Sequence, residues 1–294
     1  MCKFIFNISN KCVILNIRRI VMNIKLVAID MDGTLLNDYG EVSDATIEAL
    51  KAAQRKNVEI VISTGRVLKS ALYFAEKLGL KSYTIASNGA IIADRDLNII
   101  YNSPIDNQTI KTVVEVAEQE NIYFHFYNEN TYFSNKYISE IDKYYNSSKE
   151  RLKGQNINFE LFDDIDEIIN RKDLNIYKFL FIDDDLNKLN KVRDRLREIE
   201  GVNISKSGFN NIELTRSDVS KGQALQYVSN LLGIDRSEIM SIGDNDNDIS
   251  MLEKAGISVA MGNAERAIKE IADFVTKTNN EDGVAYAFRK FILE

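Results

Sequence analysis

The stretch Ile29-Asp30-Met31-Asp32-Gly33-Thr34-Leu35-Leu36 decides the fold of this chain. Residues 24–29 just before it are apolar except for Lys25. A run of that length and composition reads as a strand buried on both faces. It ends in two carboxylates two residues apart, then a glycine turn. In open α/β sheets, chemistry gathers at the carboxyl ends of such strands. One carboxylate there can attack phosphorus, a second can move a proton, and a hard cation can bridge protein and phosphate oxygens. Asp-x-Asp-Gly alone also fits a plain strand and acidic turn, so the reading depends on the rest of the chain.

Three later segments support the chemical reading. Val58-Glu59-Ile60-Val61-Ile62-Ser63-Thr64-Gly65-Arg66 is another apolar strand, ending in hydroxyls and a glycine. Thr64 can donate to a phosphate oxygen, Gly65 lets backbone approach closely, and a helix expected over 66–78 would point its positive end at the anion. In Asp218-Val219-Ser220-Lys221-Gly222, Ser220 is a helix N-cap for a segment running to Leu232. That puts Lys221 in the first turn, where a cation is disfavoured unless an anion compensates it. Ile239-Met240-Ser241-Ile242-Gly243-Asp244-Asn245-Asp246-Asn247-Asp248 is a third strand ending in carboxylates, with a helix expected through Lys254. A calcium loop is excluded by spacing: counted from Asp244, Ile249 stands where glycine is needed and Ala255 where glutamate is needed. Carboxylates converging with Asp30 on one small cation are the better account, and Mg²⁺ suits one or two carboxylates, waters and a substrate phosphate.

These segments, in this order, resemble the haloacid dehalogenase superfamily of phosphohydrolases. The best match is the Cof-type, sugar-phosphatase-like branch with a type IIB cap. Ser87-Asn88-Gly89-Ala90, Val259-Ala260-Met261-Gly262-Asn263-Ala264 and Asn280-Glu281-Asp282-Gly283-Val284-Ala285 also look like that branch. The resemblance runs from about Met22 to the C-terminus and is thin through the middle third. It implies a Rossmann-like, doubly wound parallel α/β core with an inserted α/β cap. It further implies that Asp30 is the nucleophile that forms an aspartyl-phosphate and a ligand of Mg²⁺. Asp32 matches the general acid/base, with its carbonyl on the metal, and Asp244 the third metal ligand. Met31 would offer its backbone N–H to the phosphoryl group. Thr64, Gly65, Lys221 and Asn247 match phosphate-binding positions, with Asp248 and Asn88 in support. None of these positions departs from the family pattern.

Composition agrees without discriminating. The chain has 294 residues, 45% hydrophobic, with a net charge of −7 and one histidine. No basic run stands out, which argues against nucleic acid or an anionic membrane as partner. His125 alone cannot build a histidine-rich metal site. Both cysteines, Cys2 and Cys12, lie near the N-terminus, so the body holds no disulfide and fits a reducing cytoplasm. Residues 1–21 precede Met22, which reads as a natural start. Their apolar stretch, 13–21, is interrupted by Asn16, Arg18 and Arg19 and is too short and too charged for a membrane span, and the pattern of a signal peptide is lacking. They are expected to be an extension outside the fold.

Two domains are expected: a core of 22–104 and 209–294, and a cap of 105–208. A helix capped by Ser43 should bury Ile47, Leu50 and Ala53. A strand over 83–86 and a hairpin of 90–93 with 99–102 follow. The chain's one proline, Pro104, suits a hinge into the cap. In the cap, helices are expected over 107–119, 136–146 and 186–199, and strands over 123–127, 131–134, 157–162 and 177–182. The core should resume as a strand over 211–215. His125, Tyr127 and Tyr132 are candidate readers of a leaving group, although an aromatic stripe in a hairpin more often packs. Asp183-Asp184-Asp185 looks like a metal cluster but reads better as a strand-end turn capping a helix. The expected protein is a cytoplasmic, Mg²⁺-dependent phosphomonoesterase acting as a monomer or weak homodimer. Its substrate class is a small phosphometabolite: a sugar phosphate, a nucleotide or flavin-precursor phosphate, or pyridoxal phosphate. A phosphomutase using the same nucleophile is the alternative. A phospho-aspartate switch of receiver type fits less well, because receivers have no cap.

Overall fold

The structure is a computed structural model that describes residues 5–8, 11–14, 23–136, 155 and 157–294. Ile5–Ile8 (β1) and Lys11–Ile14 (β2) pair antiparallel in a two-stranded sheet of their own. The apolar run that opens the sequence reading is Leu26–Asp30 (β3), buried along its whole length. It is followed by Asp44–Arg55 (α1), Glu59–Ser63 (β4), Leu68–Lys77 (α2), Tyr83–Ala86 (β5) and the hairpin Ile91–Ala93 (β6) with Ile99–Asn102 (β7). A second region contains Asn107–Gln119 (α3), Tyr123–Tyr127 (β8), Thr131–Ser134 (β9), Asn158–Leu161 (β10), Ile165–Ile169 (α4), Lys178–Ile182 (β11), Leu186–Arg197 (α5), Val202–Ser205 (β12) and Asn211–Arg216 (β13). The chain then runs through Lys221–Leu232 (α6), Ile239–Gly243 (β14), Ile249–Lys254 (α7), Ile257–Ala260 (β15), Arg266–Ile271 (α8), Phe274–Val275 (β16) and Gly283–Phe288 (α9).

The larger sheet has the order β16-β15-β14-β3-β4-β5-β6-β7. Strands β16 to β5 are parallel, and β6 and β7 extend the edge antiparallel. Helices cover both faces, as the pattern in β3 requires. Val27 and Ile29 pack with Leu50 and Ala53 of α1 and Phe288 of α9. Leu26 and Ala28 pack with Ala224, Leu225 and Val228 of α6. This is the doubly wound α/β arrangement expected. The strand order reverses at β3, whose carboxyl end is Asp30, and ligands of such sheets bind at that switch point.

The second sheet has the order β10-β9-β8-β11-β13-β12 and its own aromatic core. Its strands alternate with period two. Phe124, Phe126, Phe179 and Phe181 pack inward, while Tyr123, His125, Tyr127, Lys178, Leu180 and Ile182 line a cavity on the other face.

The strand expected to restart the core over 211–215 is β13, and it lies in this second sheet. It pairs with β11, Phe179 against Leu214, and with β12. The cause is that an apolar strand fits either sheet, and its hydrogen-bonding partner decides. The chain returns only through 217–220. The two crossings touch: Ser103 donates its hydroxyl to Asp218 at 3.3 Å, beside Pro104. The helix expected over 136–146 lies outside the described residues. Among these, no helix is long and apolar enough to cross a membrane.

Candidate active site

Asp30 ends β3 between the parallel neighbours β14 and β4, and its side chain is buried. The turn after it closes on itself, with Leu35 N–H donating to the Asp30 carbonyl at 3.1 Å and Leu36 N–H to that of Met31 at 2.8 Å. The Met31 side chain is buried in the core, so only its backbone can face the site. Gly33 turns the chain at φ +81°, and a Cβ there would stand 2.5 Å from an oxygen of Asp244. Thr34 donates its hydroxyl to the other Asp244 oxygen at 2.7 Å.

Lys221, first residue of α6, points to the same place. Its Nζ lies 2.5 Å from Asp30 Oδ1 and 2.6 Å from Asp248 Oδ1, and the side chain is fully buried. The cation at the helix N-terminus is thus compensated by two carboxylates. Burial opposes its charge, but Asp248 and Asp30 outweigh that and raise its pKa. Asp30, Asp244 and Asp248 each bring a carboxylate oxygen within 4.8 Å of the others. Burial, then the Asp248 charge, pushes Asp30 well above the usual carboxylate range and Asp244 up to about 7. Three buried carboxylates share one ammonium, so the cluster lacks positive charge, and its donors are all hard oxygens of the kind Mg²⁺ takes. Both Asp248 oxygens are occupied, one by Lys221 and the other by the backbone N–H groups of Asp244 and Asn245 at 2.9 and 3.0 Å. Asp30 and Asp244 are therefore the better donors to a cation.

Asp32 leaves this cluster for the cleft, with 57% of its side chain exposed. The Arg66 guanidinium grips it at both oxygens, 2.8 Å from Nε and 2.5 Å from Nη2. Enclosure in the cleft pushes its pKa up, but Arg66 outweighs that and holds it below the usual value. Helix α2 starts at Leu68 rather than at Arg66, with Val67 extended as its cap, which frees Arg66 to turn toward Asp32. Thr64 is fully buried, and its hydroxyl accepts from Arg66 N–H at 3.2 Å.

Gly65 lies against the second sheet. A Cβ there would stand 2.7 Å from Lys178 Nζ and 2.9 Å from Asn88 Oδ1. Lys178 of β11 and Glu213 of β13 form a buried ion pair. Burial pulls the Lys178 ammonium down, whereas the same ammonium overcomes burial at Glu213 and holds that carboxyl low. Glu213 also accepts from Asn88 at 2.7 Å, Ser207 at 2.7 Å and Asn247 at 3.3 Å. Asn247, expected at the phosphate, and Asn88, expected in support, thus meet at this carboxylate.

Of the expected residues, Asp30, Asp32, Gly65 and Asn247 line a cavity of about 560 Å³ between the two sheets. Thr64, Lys221, Asp244 and Asp248 are buried outside its lining. Tyr123, His125, Tyr127, Tyr132, Leu180 and Ile182 form an aromatic and aliphatic wall opposite the carboxylates. Asp185 caps α5 as expected, accepting from Asn187 and Lys188 N–H, whereas Asp183, paired with Lys188, and Asp184 line the cavity. The sequence reading assigned no role to Arg66, Thr34, Lys178 or Glu213. The available signal for the last two was a lone charge inside an apolar strand.

The family model described as haloacid dehalogenase-like hydrolase matches residues 27–288. The chain is 34% identical to the 5-amino-6-(5-phospho-D-ribitylamino)uracil phosphatase YcsE of Bacillus subtilis, over 95% of this chain and all of that one. It is 33% identical to phosphatase YwpJ of the same organism, over 91% of this chain and all of that one. Among solved structures, a haloacid dehalogenase-like hydrolase from B. subtilis superposes with a TM-score of 0.84 at 33% identity, covering 92% of this chain and 100% of that one. A subclass IIB sugar phosphatase superposes at 0.77 with 27% identity, covering 91% and 98%.

Proposed function

Because the chain belongs to the haloacid dehalogenase-like hydrolases and has phosphatases as relatives, we propose that it hydrolyses small phosphomonoesters through a phospho-Asp30 intermediate with Mg²⁺. The observation that carries this reading is Asp30 at the sheet's switch point, 2.5 Å from Lys221 and clustered with Asp244 and Asp248. Phosphoryl transfer needs positioning and charge neutralisation above all.

An Asp30 oxygen attacks phosphorus, and the bond from phosphorus to the leaving oxygen breaks. Asp32 gives that oxygen its proton. Asp32 then takes a proton from water, the water oxygen attacks phosphorus, and the bond to Asp30 breaks, returning the carboxylate and releasing phosphate. Lys221 holds Asp30 in orientation and balances the anion that forms on it. Asp248 holds Lys221. Asp30 and Asp244 would hold Mg²⁺, which when bound neutralises phosphate charge beside the acids. The bidentate Arg66 grip keeps Asp32 ionised, the form that takes a proton from water; the acid form needs that grip loosened. General acid/base help of this kind contributes roughly 10²–10⁴ in rate.

The second sheet with its helices, to Arg216 rather than residue 208, serves as a cap that closes the cavity and reads the leaving group. A cavity of about 560 Å³ with one aromatic wall suits a metabolite-sized ligand. The relatives' names point to sugar phosphates and to a phosphoribitylamino-uracil as substrate classes to try first, with nucleotide and pyridoxal phosphates beside them in the panel.

The test is phosphate release from a panel of phosphometabolites, with and without Mg²⁺, and with Asp30→Asn as control. Turnover should require Mg²⁺ and fall at least about 10³-fold in the variant, as expected when a nucleophile is removed. Turnover that survives Asp30→Asn would overturn the assignment.

A further inference from the structure

The Gly65 carbonyl accepts two hydrogen bonds from the second sheet: Tyr127 Oη of β8 at 3.1 Å and Lys178 Nζ of β11 at 3.1 Å. Its peptide continues into Arg66, whose N–H donates to Thr64 Oγ1 at 3.2 Å. A peptide unit is planar, so fixing its oxygen fixes its N–H. Arg66 then carries its guanidinium to Asp32. Two side chains of the cap therefore hold the Gly65–Arg66 peptide, whose N–H is bonded to the threonine of the phosphate loop and which carries the arginine on the acid/base.

The anchor is buried and bonded on both sides. Lys178 is buried and paired with Glu213, which accepts from Asn88 and Asn247 of the larger sheet's own turns. At Gly65 there is no space for even a methyl group between loop and cap. Donors on a carbonyl also polarise its peptide and strengthen the N–H as a donor.

We propose that Tyr127 and Lys178 are positioning residues for turnover, acting through the Gly65–Arg66 peptide on the phosphate loop and on Asp32. The proposal rests on the phosphatase reading above and deepens it. Its consequence differs from that of a leaving-group reader. A residue that only reads the leaving group matters to large substrates and is silent on small ones. A residue that sets the phosphate loop matters to every substrate.

The experiment compares wild type with Tyr127→Phe and Lys178→Met on acetyl phosphate and on the best large substrate of the panel. Arg66 amide hydrogen exchange is measured in the same proteins without substrate. Tyr127→Phe removes one hydroxyl and keeps the ring, and losing one such bond should lower kcat about tenfold on both substrates. KM should stay within about twofold, because ground-state contacts are kept. Arg66 amide exchange should speed up about tenfold in both variants. Unchanged kcat on acetyl phosphate with a loss confined to the large substrate would overturn the proposal, and so would unchanged exchange. If Lys178→Met leaves Glu213 unpaired and the protein unstable, the Lys178→Met/Glu213→Gln pair removes that charge and the same readouts apply. If wild type releases no phosphate, the phosphatase reading fails, and the exchange measurement still decides whether the two side chains hold the peptide.

Discussion

Gly33 carries two constraints at one position. Its φ of +81° lies where a Cβ is strained, and the space a Cβ would take belongs to Asp244, 2.5 Å away. Gly33→Ala should displace the carboxylate proposed as a Mg²⁺ donor, raising the Mg²⁺ concentration for half-maximal turnover about tenfold or more. A Mg²⁺ titration of initial rates checks this, and an unchanged midpoint would mean that Asp244 is not placed by the turn. Glu213 should show the opposite balance of effects. Its removal in Glu213→Leu leaves the Lys178 ammonium buried without its carboxylate, at a cost of about 3–5 kcal/mol. Denaturant unfolding reads that loss directly. The two cases mark what was legible at this scale. Asp30, Asp32, Lys221 and Asp244 stand in short motifs that match the family pattern, and the structure brings Asp30, Lys221, Asp244 and Asp248 together. The partners of Asp32 and Glu213 were not legible. Arg66 lies 34 residues from Asp32 and Lys178 lies 35 from Glu213, and no local spacing encodes such pairs.

At the scale of elements, local signals were reliable wherever the backbone itself sets them. Ser43 and Ser220 are N-caps, accepting from Thr46 and Gln223 N–H. The strands over 83–86, 123–127 and 131–134 and the helix over 107–119 have the bounds that their apolar periods predict. Sheet membership was not legible. β13 reads as a strand of either sheet until its pairing with β11 and β12 is known, and β12, half-buried and polar at Asn203 and Ser205, gives little pattern at all. The cap of α6 offers a test in which local structure and chemistry meet. Ser220→Ala loses the bond to Gln223 N–H and should cost about 1 kcal/mol of stability. Because Lys221 is the next residue, turnover should fall as well. Thermal unfolding beside kcat separates the two effects: a stability loss with full turnover would show that the ion pairs with Asp30 and Asp248 hold Lys221 without the cap.

For the whole molecule, one group reports on how closely the two sheets enclose the cavity. His125 is the chain's single histidine, so its titration needs no assignment. Burial, then the Lys178 charge, pushes its pKa down to about 3. The groups around it are Tyr123 Oη, 3.2 Å from Nδ1, and Tyr127 on its own strand, Tyr132 on β9, and Lys178 on β11, itself paired with Glu213 of β13. In the unfolded chain the ring titrates near 6.5. Between about 6.5 and 3 the unfolded state therefore holds a proton that the folded state does not, and stability falls as pH falls through that window. The contribution is intact above the unfolded value and is lost at up to about 1.4 kcal/mol per pH unit below it. Carboxylates held low, such as Asp106 with its bonds from Thr109, add a further acid loss that every variant shares. His125→Gln removes only the histidine component. Between pH 7 and 5, wild type should lose about 1–2 kcal/mol more than this variant in denaturant unfolding. The imidazole proton resonance of the folded protein should stay at its neutral position down to about pH 4. Parallel stability curves, or a resonance moving with a midpoint near 6, would mean that water reaches the ring and that the cavity wall is open on the side of the second sheet.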